Sequence, residues 1–226
     1  MCGRFTLRAT AKQIAEQFGI STVPDFPPRF NIAPSQPILA VRTRFPFDSP
    51  LERECLFMQW GLVPHWVKEL KGAPAFINAR SETVEEKPAF RVPFRYRRCL
   101  VPADGFYEWR KLPRGKQPYF ICLKGDTLFA FAGLWNHWEA PDGSALDSCV
   151  ILTTDANQVM RPIHDRMPVI LSPEHYASWL DPQITDFSQL RSLLQPYPEE
   201  RMEAVPITSR VNNPKFDDPR CLEPAV

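Results

Sequence analysis

The chain has 226 residues, of which 44% are hydrophobic and 23% charged, enough to build one sizeable core, and a single domain over residues 1–226 is expected. A formal net charge of +1 argues against a surface coated with basic side chains, although it leaves room for a local basic face. No apolar stretch is long enough to span a bilayer and no signal-peptide pattern opens the chain. The six cysteines form no CxxC pair and lie at no zinc-ligand spacing, so a reduced, cytoplasmic protein without metal or cofactor is expected.

In chain order, the opening MCGRF places Cys2 where removal of Met1 would make it the first residue. It would then carry a thiol with a reference pKa of about 8.5 beside an α-amine at about 7.7 to 8.0. Thr10 and Gln13 form a capping box for a short helix ending at Gly19. RFNIAPSQ closes in a loop containing Pro34, and WGLVPHW sets two Trp and His65 around a turn. AFINARSE puts Asn78 and Arg80 after an apolar segment and before Ser81, which reads as a helix cap. In RVPFRYRR, Arg91, Arg95, Arg97 and Arg98 alternate with apolar and aromatic residues. That pattern suits single-stranded nucleic acid, and equally suits a solvated strand edge or turn.

PADGFYEW follows an Asp-Gly turn and sets Glu108 among aromatic residues. A carboxylate in apolar surroundings is a proton-shuttle candidate, whereas beside an Arg it would be an ion-pair partner. Strand alternation puts Phe106 and Glu108 on one face and Tyr107 and Trp109 on the other, without saying which face is buried. RPIHDRMPVIL brings His164, Asp165 and Arg166 into a loop that leads to a strand. Helices are expected from Ser172 to Leu180 and over 187–194. ILAVR, ECLFMQW, CLVPA, FYEWR, YFICL, LFAFAGLW, SCVILTT and PVIL read as strands. Cys55, Cys99, Cys122 and Cys149 fall in apolar runs and are expected as buried thiols. The polar, Pro-containing tail from about 208 is expected to be a wrapped extension. Helices that do not alternate with strands predict an α+β fold with a curved, partly barrel-like antiparallel sheet.

MCGRF, FNIAP, WGL, NARSE, DGFYEW and IHDRMPVIL, in this order over nearly the whole chain, resemble the SRAP (SOS response-associated peptidase) family. These are abasic-site-processing proteins that crosslink themselves to damaged single-stranded DNA. The resemblance implies a single α+β domain with a positively charged DNA channel. It also implies a monomer that binds abasic sites in single-stranded DNA and at single-strand/double-strand junctions, away from membranes and associated with the nucleoid. Cys2, freed of Met1, would form a Schiff base with the ring-opened abasic aldehyde through its amine, and the thiol would then close a thiazolidine.

By the same resemblance Asn78 would hold the amine or its adduct, Glu108 would move protons, and His164 would protonate the sugar oxygen. Arg80 and Arg166, helped by Arg4, would contact phosphates, while Pro34 and Trp66 would stack against bases or wedge the duplex end. His65 stands where some relatives carry a second aromatic residue. Three alternatives stay open at this point. One is an N-terminal-nucleophile amidohydrolase, against which the absence of any Asn-Gly pair counts. The second is a cysteine peptidase using Cys2, alone or with His164, and the third is a noncovalent single-strand-binding module.

Overall fold

The computed structural model describes residues 2–47, 51–125 and 127–225. In chain order the elements are β1 (Phe5–Leu7), α1 (Ala11–Phe18), β2 (Arg29–Ile32), β3 (Pro37–Thr43), β4 (Arg53–Trp60), β5 (Asn78–Arg80), α2 (Pro88–Tyr96) and β6 (Arg98–Ala103). They continue with β7 (Gly105–Lys111), β8 (Lys116–Leu123), β9 (Phe129–Glu139), β10 (Ala145–Asp155), β11 (Arg166–Pro168), β12 (Ile170–Leu171), α3 (Tyr176–Leu180), α4 (Phe187–Ser192) and β13 (Met202–Pro206). One sheet runs β13-β8-β7-β1-β2. In the other, β10 pairs with β4, β4 with β3, β3 with β6, β6 with β9 and β9 with β10 again, so five strands close into a barrel. The α+β, barrel-containing architecture agrees with the expectation. The departure is that β10 runs parallel to β4 and to β5, so the sheet is not wholly antiparallel.

Helix α1 forms where its cap residues predict. The Thr10 hydroxyl accepts from the Gln13 amide at 3.3 Å, and the Gln13 side chain accepts from the Thr10 amide at 2.8 Å. Gly19 ends the helix at φ 63°, in the left-handed region. Its buried face is Ile14 and Phe18, one turn apart.

Helix α2 departs from the reading of RVPFRYRR as a strand edge or turn, and it contains Pro93. The helix tolerates it because Pro88 starts the first turn with a preset φ and the helix is only 9 residues long. Phe90, Pro93 and Phe94, spaced three and four apart, form its buried face and outweigh the lost amide bond. Ser81 caps no helix. Its amide extends the β5 pairing by donating to the Thr153 carbonyl at 2.9 Å, and turns follow as far as α2. Cys55 is half-buried, while Cys99, Cys122 and Cys149 are buried as expected.

Arg98 contradicts the reading of RVPFRYRR as a solvated edge. Its buried guanidinium donates to the carbonyls of Trp179 at 2.6 Å, Phe94 at 2.8 Å, Arg95 at 2.6 Å and Ile184 at 3.0 Å, and to that of Asp181. Carbonyl ends of α2 and α3 therefore converge on one cation, the charge that a helix C-terminus favours. Burial lowers the Arg98 pKa to about 10. Arg97 is also engaged, donating to Asn136 Oδ1 at 2.6 Å with its guanidinium over Phe45 and Trp135. Replacing Arg98 by Ala orphans these carbonyls, and a loss of about 3 kcal/mol or more is expected. A denaturant midpoint within experimental error of the wild type would show that the carbonyls find other partners.

Candidate active site

Cys2 is fully buried, held from two directions. Downstream, β1 pairs antiparallel with β7, with Phe5 opposite Phe106, and the Tyr107 amide donates to the Arg4 carbonyl at 3.0 Å. Extending that register by two residues sets Gly3 across from Glu108. Phe5 locks the strand through edge contacts with Trp60 at 5.2 Å and Phe131 at 5.8 Å. From the other side, Asn78 Nδ2 donates to the Cys2 carbonyl at 2.9 Å. Asn78 is placed by β5, which pairs with β10 at Ile151, and by Trp60, whose indole N–H donates to the neighbouring Ile77 carbonyl at 2.9 Å. The Asn78 Oδ1 atom is buried without a hydrogen-bond partner, so one acceptor beside Cys2 remains unused.

Glu108 settles the question the alternation left open. Phe106 lies in the main core and Tyr107 in a smaller second core, so Glu108 shares the inward face with Phe106 and is 5% exposed. Its Oε1 accepts from the Trp109 amide at 3.2 Å. Burial pushes the Cys2 thiol far above the ordinary cysteine range, and the nearby Glu108 carboxylate raises it further. In this state the sulfur is a protonated thiol, donating weakly to the Arg4 carbonyl at 3.8 Å.

His164 lies just before β11, in the turn that leads to Arg166. Asn78 pairs with Ile151 and Arg166 with Asp155, so these positions lie about 13 Å apart along β10. The Arg166 amide donates to His164 Nδ1 at 2.9 Å. A backbone N–H can only donate, so Nδ1 carries the lone pair and the ring proton sits on Nε2. Asp165 Oδ1 also lies 2.9 Å from Nδ1, but bonds to it only if Nδ1 gains a proton and releases the amide. The Arg166 side chain forms a fork with Glu82 at 2.7 and 2.9 Å, reaches Asp155 at 2.7 Å and donates to the Thr153 carbonyl at 2.7 Å.

The expected phosphate contacts therefore differ among themselves. Arg80 is exposed on β5, two residues along the same strand face from Asn78. Arg166 is buried against two carboxylates. Arg4 donates to Asn31 Oδ1 at 2.9 Å and to the carbonyls of Val211 at 2.8 Å and Asn212 at 3.4 Å. A phosphate meets either of these only in exchange for a present partner. Pro34 is half-buried next to Ser35, whose positive φ of 69° and amide bond to the Trp60 carbonyl at 2.8 Å hold the loop against β4. Trp66 is 50% exposed with the His65 ring edge-on at 5.1 Å, a flat surface open to solvent.

Sequence reasoning missed Asn31 of FNIAP. Its buried amide donates to the carbonyls of Val211, Asn213 and Phe216, tying the segment after 208 to β2. Missed too was Asp104, which accepts from Thr6 Oγ1 at 2.5 Å, Arg8 Nε at 2.9 Å and the Ala9 amide at 3.2 Å, fixing the exit of β1. Both residues lay inside quoted motifs. Nothing in one sequence separates a residue that builds a site from one that reacts in it. Met1 lies outside the described residues, and no cluster fit to hold a metal occurs among the described ones.

Fold and site together define a small α+β barrel protein built around one buried, backbone-anchored cysteine faced by an amide and a carboxylate. The family model for SOS response associated peptidase (SRAP) matches residues 1–214, and the chain belongs to that family. The abasic site processing protein YoqW of Bacillus subtilis is 46% identical over 227 residues, 99% of either chain. The mouse abasic site processing protein HMCES is 35% identical over 232 residues, covering 88% of this chain and 65% of that one. Among solved structures, a protein from Bacteroides thetaiotaomicron superposes with a TM-score of 0.87 at 28% identity over the whole of both chains. A phage-related protein from Bordetella bronchiseptica gives 0.72 at 28% identity, over 92% of this chain and 95% of that one.

Since the Glu108 charge raises the thiol pKa, Glu108→Gln removes one of its causes and leaves burial in place. Alkylation of Cys2 by iodoacetamide at pH 8 is expected to be slow in the wild type and several-fold faster in the variant. An equal or slower rate would mean that the carboxylate does not act on the sulfur.

Proposed function

We propose that the protein recognises abasic sites in single-stranded DNA, including those at junctions with duplex, and couples to them covalently through Cys2. The single observation that carries this reading is the setting of Cys2. Its carbonyl is pinned by Asn78, an unused acceptor lies beside it, and its thiol is kept protonated next to Glu108. A thiol so far from ionisation is a poor first nucleophile, so the first attack falls to the α-amine that removal of Met1 exposes. The relatives' printed names, abasic site processing protein, supply the electrophile: the aldehyde of a ring-opened abasic deoxyribose.

The amine adds to the aldehyde carbon and water leaves, giving an imine. The sulfur then bonds to that carbon while the imine nitrogen takes a proton, closing a five-membered thiazolidine. Glu108 accepts the thiol proton and returns it to nitrogen, and the Asn78 Oδ1 acceptor holds the amine N–H. His164, with its proton on Nε2, is the donor to the sugar oxygen as the ring opens. Arg80 contacts a flanking phosphate directly, with Arg4 and Arg166 joining by exchanging partners, and Trp66 and Pro34 present surfaces to bases. No cofactor enters this chemistry. The peptidase alternative needs a thiolate, which burial and Glu108 oppose.

Incubation with a single-stranded oligonucleotide bearing one abasic site is expected to give a denaturation-resistant adduct. Its mass should equal protein without Met1 plus DNA minus one water. The reading fails if no such species forms, or if Cys2→Ala forms as much of it. Arg80→Ala should weaken noncovalent binding and make the slope of log affinity against log salt shallower by about 0.7, the share of one phosphate on a single strand. An unchanged slope would remove Arg80 from the interface.

A further inference from the structure

The cluster around Arg166 has a geometry that the phosphate-contact role does not use. Arg166 is the first residue of β11, paired with Asp155 at the last position of the β10 ladder, where a strand is most prone to fray. Beyond it, the Ala156 amide donates to the Asp165 carbonyl at 3.1 Å. The Arg166 side chain is nevertheless fixed: Glu82 takes both terminal nitrogens in a fork, Asp155 takes one and the Thr153 carbonyl the other. The Arg166 side chain is 10% exposed and Glu82 46%, and a fork of two contacts to a largely buried guanidinium holds one geometry better than a single contact between exposed side chains. What that stiffness delivers is the Arg166 backbone N–H, aimed at His164 Nδ1.

Among the described residues, two groups compete for that nitrogen. The Arg166 amide requires an Nδ1 lone pair, and Asp165 Oδ1, at the same 2.9 Å, requires an Nδ1 proton. Asp165 is a solvated side chain, 89% exposed, free to stay or leave, whereas the amide cannot turn while its side chain is clamped. We infer that Glu82 is a positioning residue for the His164 proton: by clamping Arg166 it holds the amide on Nδ1, so that the neutral ring carries its proton on Nε2. Glu82 touches neither substrate nor His164 in this scheme. It acts through the guanidinium and the backbone of Arg166.

The test is spectroscopic first and kinetic second. With 15N-labelled histidine and the long-range ring spectrum, the neutral wild type should show an unprotonated Nδ1 and a protonated Nε2 for His164, assigned by its loss in His164→Gln. Glu82→Gln, which keeps one acceptor and loses the charged fork, should shift a large part of the population to Nδ1–H. Asp165→Ala added to Glu82→Gln should restore the Nε2–H form, since the competing acceptor is gone, and Asp165→Ala alone should leave the wild-type tautomer in place. An unchanged tautomer in Glu82→Gln, or a changed one in Asp165→Ala alone, overturns the inference. Folding of the single exposed-site variant keeps it testable even if Glu82→Gln is unstable.

The kinetic arm alone rests on the crosslinking function proposed above. There the single-turnover rate of adduct formation at saturating DNA, where the affinity change expected from loosening Arg166 drops out, should fall roughly tenfold in Glu82→Gln and recover in the double variant. A tautomer that shifts while the crosslinking rate stays put leaves the positioning role intact and removes His164 from the reaction.

Discussion

The short antiparallel pairing of β1 with β7 is the constraint on which the site depends. It pairs only Phe5 with Phe106 and Thr6 with Gly105, yet it carries Cys2 into the protein. Phe5 makes this possible by wedging edge-on between Trp60 and Phe131, at the meeting of the two sheets. Asp104 then fixes where β1 ends, and Gly105 leaves room for the Phe120 ring of the neighbouring strand β8: a Cβ there would stand 2.2 Å from it. Remove that pairing and Cys2 becomes an ordinary exposed thiol with an ordinary pKa.

Burial does two things to Cys2 at once. It keeps sulfur in its uncharged form, which protects the thiol from oxidation and from stray alkylation, because both need thiolate. It also places a carboxylate where, in the proposed reaction, the thiol proton would go as the sulfur bonds to carbon. Under that proposal, a site that waits protonated and ionises only as the bond forms suits one scarce electrophile better than turnover of a common one.

Most of the barrel was legible in the sequence because its strands are short, apolar or aromatic, and bounded by Pro, Gly and Asp, and because α1 carries both of its caps. What stayed hidden was set by distant partners. Pro93 reads as a helix breaker until Phe90 and Phe94 have a core to face. The parallel pairing of β10 with β4 and β5 needs knowledge of where long connections return. For the site, the resemblance named Asn78, Glu108 and His164, but not that Asn78 would reach the Cys2 backbone. Nor could spacing tell that Arg166 would be enclosed by Glu82 and Asp155, since ion-pair partners 84 and 11 residues away leave no local trace.

For the proposed function, the placement of the arginines matters more than the net charge of +1. Arg98 joins helix ends, Arg42 bridges Glu54 and Asp147, Arg29 pairs with Asp217, and Arg166 sits between carboxylates, so much of the positive charge is consumed inside the fold. Arg80 is different: it is exposed on the strand face that also bears Asn78. A cation placed there adds little to nonspecific attraction over the surface, yet acts within one strand's reach of the reactive residue. Binding, in the proposed function, then depends on where charge lies relative to Cys2, and less on how much the chain carries.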